Sequence, residues 1–198
     1  MAMRLHTGRV NQKARTRMAI VSAARELMQA GQPVTMAAVA QAALVSEPTA
    51  YRYFPDLLSL LTEAFMGIWP APGQAMQPVA GSSDPVERVG YATEFLLRHV
   101  LAYQGAVRAM IAATITRPEL SHARPGLRFE LIDYALAPLR DTLAVTDPDT
   151  FSQLRRDLAV VVSAEALFTL TDLCGLTPEQ AIASATSTAR ALTMAATK

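Results

Sequence analysis

An all-α fold is predicted by three features of this 198-residue sequence. Apolar residues recur at spacings of three and four along most of the chain, the period of a helix with one buried face. Hydrophobic residues make up 51% of the total and aromatic residues only 6%, with abundant Ala and Leu, a balance that favours helices over strands. Capping residues such as Thr35, Ser46 and Asp56, and breakers such as Gly31, Pro33 and Gly105, punctuate the periodic segments. The length suits one large domain or two small ones.

The first helix is expected from about Gln12 to Ala30, with Met18, Val21, Ala24, Leu27 and Met28 on one face, and Gly31 and Pro33 ending it. Charge is unevenly spread. Residues 1–69 hold seven Lys/Arg against four Asp/Glu, a net +3, while residues 70–198 hold eleven against thirteen, a net −2. In the first 17 residues Arg4, Arg9, Lys13, Arg15 and Arg17 face no acidic residue, which reads as a flexible basic arm able to follow a phosphate backbone or enter a minor groove.

Thr35 is placed to cap a helix whose apolar positions are Met36, Val39, Ala40 and Ala43. Ser46, Glu47 and Pro48 then open a second one. On that helix Ala50 and Phe54 point one way, Pro48, Thr49, Tyr51 and Arg52 the other, and Tyr53 lies at the border. A helix showing phenols, hydroxyls and a guanidinium to solvent suits DNA, so the pair reads as a helix-turn-helix. The order A-x-x-A-x-V-S-x-x-x-x-Y-x-Y-F at Ala40, Ala43, Val45, Ser46, Tyr51, Tyr53 and Phe54 resembles the TetR family of transcription regulators, and the likeness runs from about Arg17 to Ala64. Leu44 stands where that family usually has a turn glycine, and Leu57 where it often has a phosphate-approaching lysine. By this resemblance Thr35, Ser46, Tyr51 and Tyr53 touch phosphates, while Glu47, Pro48, Thr49 and Arg52 read or approach bases. Arg15 and Arg17 join them from the basic arm.

Asp56 can cap a fourth helix, DLLSLLTEAFMGIW, whose apolar surface is wide enough to be packed on both sides. Residues 70–83 carry three prolines and two glycines without periodicity and read as a loop or disordered linker. Helices follow from Asp84 to about Tyr103, from about Ala106 to Thr116, from about Gly126 to Leu143 with a kink at Pro138, from about Thr150 to Leu173, and from Pro178 to Ala196. The expected organisation is a basic arm with a three-helix helix-turn-helix DNA-binding domain over 1–55, a connecting helix over 56–69, the linker over 70–83, and a helical ligand-binding and dimerisation domain over 84–198.

The resemblance implies a pocket in the second domain, with candidate liners Trp69, Phe95, His99, Tyr103, Met110, Phe129, Tyr134 and Phe168. Their apolar and aromatic character favours a lipophilic or aromatic small molecule. The last two helices carry candidate dimer-interface residues Leu158, Val162, Glu165, Phe168, Ala181, Ala185 and Ala189; small residues allow close approach to a second copy, or equally packing within the chain's own domain. A symmetric dimer would match a palindromic double-stranded DNA operator.

No phosphate-binding glycine loop, nucleophile elbow or metal-spaced His/Asp/Glu cluster is present, so no cofactor, metal or catalytic residue is expected. His6, His99 and His122 stand singly, and Cys174, the only cysteine, reads as a small buried hydrophobe. No apolar run is long enough for a membrane span or a signal sequence, which points to a cytoplasmic protein. The leading expectation is a dimeric, ligand-responsive repressor. Its rivals are a DNA-binding regulator governed by a protein partner and a helical enzyme or carrier.

Overall fold

The computed structural model describes residues 3–117, 119 and 126–198, with side chains from Asn11 onward. All the described elements are helical. In chain order they are α1 (Met3–Gln29), α2 (Met36–Ala42), α3 (Glu47–Tyr53), α4 (Leu57–Phe65), α5 (Pro72–Ala75), a 3-10 turn (Gln77–Val79), α6 (Pro85–Ala102) and α7 (Gln104–Thr116). There follow α8 (Leu127–Ala135), a 3-10 turn (Ala137–Leu139), α9 (Leu143–Thr146), α10 (Pro148–Val161), α11 (Ala164–Phe168), a π turn (Thr169–Leu173) and α12 (Pro178–Ala196). The chain forms two compact units, one of Met1–Trp69 with Ala102–Arg124, the other of Pro70–Leu101 with Pro125–Lys198.

The first unit is built on α1, which packs against α2 and α4. It begins at Met3, so the basic segment continues the helix rather than forming a separate arm. Gly8 is the only strong helix breaker before Gln12, and nothing else interrupts the backbone ladder. The side chains of Arg4, His6 and Arg9 lie outside the described residues, as do His122 and most of the 117–125 connection. At its other end α1 closes in a Schellman turn: Gln32 N–H donates to the Leu27 carbonyl at 3.0 Å and Gly31 N–H to that of Met28 at 3.2 Å, with Gly31 at φ +65°.

Helix α2 repeats this ending without a glycine. Val45 N–H donates to the Ala40 carbonyl at 2.9 Å and Leu44 N–H to that of Gln41 at 3.1 Å, which forces Leu44 to φ +55°. The Leu44 side chain is 93% exposed and contributes little packing in return. At the start of α2, Thr35 Oγ1 accepts from Ala38 N–H at 3.1 Å; ahead of α4, Asp56 Oδ1 accepts from Ser59 N–H at 2.8 Å. As its wide apolar surface requires, α4 packs on both sides, against α1 and against α7. Ala106 and Met110 of α7 share one core with Leu58, Leu60, Leu61 and Phe65, so residues 102–124 group with the first unit rather than with the segment after Asp84.

In the second unit, residues 70–83 are not a free linker: α5 packs on α8, and Ala75, Met76 and Val79 are buried. Arg88, only 6% exposed, holds this region together. It donates to the carbonyls of Val79 at 2.7 Å, Tyr134 at 2.6 Å and Ala135 at 3.1 Å, thereby capping both the 3-10 turn and α8. Pro138 ends the expected long helix instead of kinking it; α8 stops at Ala135 and Pro138 sits in the 3-10 turn that follows. The expected helix from Thr150 to Leu173 is three pieces, because Ser163 takes an extended conformation and caps α11 by accepting from Ala166 N–H at 3.0 Å. α10 packs on α8 and α12, burying Leu154 and Leu158 with Ala181, Ala185 and Ala189.

Two stability predictions follow from these helix ends. Leu44→Gly, which releases the left-handed strain and removes an exposed side chain, is expected to stabilise the protein by about 0.5–1 kcal/mol in a urea titration. Leu44→Ala retains the β-carbon and is expected to give no such gain.

The second concerns Asp147, whose carboxylate caps α10. Hydrogen bonds from Thr150 N–H at 3.0 Å and Thr150 Oγ1 at 2.7 Å hold it below the ordinary carboxylate range. A lowered folded-state pKa means this stabilisation is complete above the ordinary value and is lost as pH falls through the lowered one. Asp147→Asn, which still caps but cannot ionise, is expected to flatten the acid limb of a plot of melting temperature against pH.

Candidate nucleic-acid interface

Helix α3 is seven residues long, and each end is fixed by a neighbouring side chain or turn. Ser46 Oγ accepts from Thr49 N–H at 3.4 Å and bonds Thr49 Oγ1 at 2.8 Å, while Pro48 occupies the first turn, where no N–H is needed. Ala50 is fully buried and Phe54 is 1% exposed, which anchors one side of the helix in the core.

The opposite side is open. Ser46, Glu47, Pro48, Tyr51 and Arg52 are exposed and Thr49 is half-buried, so the structure brings these candidates onto one solvent-facing row. Tyr53 is half-buried, at the border where its spacing places it, with the Arg52 guanidinium 5.7 Å from its ring centre. Thr35 is exposed at the start of α2, and Arg15 is exposed on α1. Such a row offers hydroxyls and phenols for phosphates and one cation and one carboxylate for base edges.

Arg17 departs from its expected place on a free arm. Its Nη1 donates to the Tyr53 carbonyl at 3.1 Å, its Nε to Glu63 Oε1 at 3.1 Å and its Nη2 to Glu63 Oε2, and its guanidinium lies 4.3 Å from the Phe54 ring centre. Glu63 was not among the sequence candidates, because a pairing 46 residues apart leaves no local signal.

The pocket candidates are divided between the two units. Trp69, Tyr103 and Met110 belong to the first unit, where Trp69 and Tyr103 meet Phe65 edge-on at 5.7 and 6.0 Å. Phe95, His99, Phe129, Tyr134 and Phe168 belong to the second. The His99 ring lies tilted against Phe95 with centres 4.1 Å apart and its Nδ1 bonds the Phe95 carbonyl, while Phe129 and Tyr134 are exposed. Tyr134 borders a groove of about 580 Å³, together with Met76, Arg88 and Glu130.

The dimer candidates Leu158, Val162, Ala181, Ala185 and Ala189 are buried within the unit; Glu165 and Phe168 are partly exposed. The small residues on α12 serve intramolecular packing against α10, the alternative left open by the sequence. Cys174 is exposed rather than buried, because it sits at the end of the π turn beside Gly175 at φ +67°. Among the described residues no group of acidic, His and Cys side chains is arranged for a metal ion, and no helix is long and apolar enough to cross a membrane.

A capped, core-anchored short helix after a tight turn, with a polar row facing outward, defines a helix-turn-helix DNA-binding domain. Residues 20–64 match the family model described as "Bacterial regulatory proteins, tetR family", which covers the chain from within α1 to the last turn of α4. No curated protein and no solved structure matches the chain. The protein is therefore all-α, with an N-terminal DNA-binding regulator domain of tetR type and a further bundle of C-terminal helices.

Proposed function

We propose that this chain is a transcriptional repressor that binds a palindromic operator as a homodimer and is released by a small molecule. The observation that carries the reading is the exposed row of Ser46, Glu47, Pro48, Tyr51 and Arg52 on a helix inside the segment that matches the regulator family. In this reading Thr35, Ser46, Tyr51 and Tyr53 hold phosphates, Arg15 adds a phosphate contact from α1, and Arg52 pairs with a guanine edge. Glu47 accepts from a cytosine amino group, and Pro48 or Thr49 meets a thymine methyl. Acting on DNA places the protein in the cytoplasm.

The dimer is supported by the outer strip of α12. Ala183, Ser187, Ala191 and Met194 are exposed there, on the side of the helix turned away from the buried alanines. Two copies bring two α3 helices to successive major grooves, about 34 Å apart. The effector is supported by the groove beside Tyr134 and Met76, which offers an aromatic ring and a thioether with Glu130 at its edge. Release is a population shift: the effector binds better to a conformation whose two α3 helices are wrongly spaced. Linkage requires DNA to weaken effector binding by the same factor, typically about 5- to 150-fold.

Selection of the purified protein on random duplexes is expected to enrich a palindrome. Salt-dependent binding without enrichment would sink the operator reading. A thermal-shift screen of lipophilic and aromatic compounds, followed by operator release, tests the effector; stabilisation without release would favour control by a protein partner.

Arg52→Ala is expected to weaken operator binding by about 1–3 kcal/mol and to relax preference at one base pair. An equal loss on operator and random DNA would show that Arg52 meets only phosphate.

A further inference from the structure

We infer that Arg17 is a positioning residue for α3, acting through Glu63, and not a DNA contact; the inference rests on the operator-binding reading above. A seven-residue helix has too few internal hydrogen bonds to hold itself, so its orientation is set from outside. At its C-terminal end Arg17 does this from three directions. Nη1 caps the last helical carbonyl, that of Tyr53, at 3.1 Å, where a cation also suits the helix dipole. The guanidinium face lies 4.3 Å above the ring of Phe54, the residue that anchors α3 in the core. Nε and Nη2 fork onto the Glu63 carboxylate of α4. One side chain of α1 thus joins the end of α3 to α4.

Three of its five N–H donors, one on each guanidinium nitrogen, are engaged inside the unit, so the guanidinium is already oriented by Tyr53 and Glu63 rather than by a phosphate. Glu63 sharpens the argument. A carboxylate in a domain that binds a polyanion opposes long-range attraction. What it contributes is the bidentate geometry that fixes Arg17, which a planar fork supplies and a lysine cannot. Tyr51 and Arg52 lie in the last turn of α3, so a loose C-terminal end moves a phosphate contact and a base-reading residue together.

The two roles predict opposite signs for one substitution. Glu63→Gln removes a negative charge and releases Arg17, so a phosphate-binding Arg17 would bind both operator and random duplex more tightly. A positioning Arg17 loses its anchor. The experiment measures the affinity of the full-length protein for its selected operator and for a random duplex of equal length, by fluorescence anisotropy across a salt series. Wild type is compared with Glu63→Gln, Arg17→Gln and the double variant, with far-UV circular dichroism on each.

The expected result is a loss of roughly 3- to 30-fold on the operator for each single variant, with Glu63→Gln undiminished on random DNA. The double variant is expected to lose no more than Arg17→Gln alone, because the fork is already broken once Arg17 is replaced. Arg17→Lys keeps the charge and the aliphatic stem but not the fork, and serves if a glutamine variant fails to fold; it too should lose operator affinity alone. Unchanged or tighter operator binding in Glu63→Gln, or undiminished binding in Arg17→Lys, would overturn the inference. So would equal losses on both duplexes for Arg17→Lys. A wild-type protein with no sequence preference would instead overturn the operator reading, and this inference with it.

Discussion

The first unit depends on the way α4 is held between its neighbours. Leu58, Leu60, Leu61 and Phe65 are buried on α4, and each such side chain contributes about 1.5–3 kcal/mol of hydrophobic stabilisation. The ion pairs around it are half-exposed and contribute about 0–1 kcal/mol each. Burial therefore supplies the stability, and the charged groups supply the register. Arg25 of α1 donates to the carbonyls of Ala64 at 2.8 Å and Met66 at 2.7 Å, capping the C-terminal end of α4. Arg117 reaches Asp56 at 3.3 Å, the same carboxylate that caps the N-terminal end. With Arg17 on Glu63 near the last turn, α4 has little freedom to slide along α1 or α7.

The second unit solves a similar problem with a single buried guanidinium. Among the described residues Arg88 has no carboxylate partner; carbonyls at the ends of α8 and of the 3-10 turn, and that of Ser82, satisfy it instead. A helix leaves its last carbonyls unpaired, and a guanidinium presents five donors in a plane, so two helix ends meeting at one arginine satisfy each other's needs. This arrangement orders the proline-rich residues 70–83, which have no apolar period of their own.

Local signals are legible in this sequence and long-range ones are not. The caps at Thr35, Ser46 and Asp56 each begin a helix, and the face assignment on α3 holds at Ala50 and Phe54. These depend on residues three or four apart. The break at Val162–Ser163 was missed because the apolar pattern continues through it, and Ser163 reads as an interior serine until its cap is seen. The alanines of α12 could have faced a second copy or α10; periodicity identifies the face but not what covers it. The grouping of α7 with α4, and of Arg17 with Glu63, depends on tertiary neighbours 40 or more residues away, for which composition carries no information.

The same distinction bears on how a reading helix is built. The internal hydrogen bonds of α3 do not fix its direction, since seven residues give it fewer than two full turns. At its start the chain comes from a Schellman turn in which Leu44 sits in left-handed backbone, a conformation costing about 1–2 kcal/mol that two hydrogen bonds and the burial of Ala40 and Ala50 outweigh. At its end Phe54 enters the core under the Arg17 guanidinium. Glu47, Tyr51 and Arg52 can vary in chemistry without moving the row, because it is aimed by residues on α1, α4 and the turn, by the buried Ala50 and Phe54, and by the Ser46 cap.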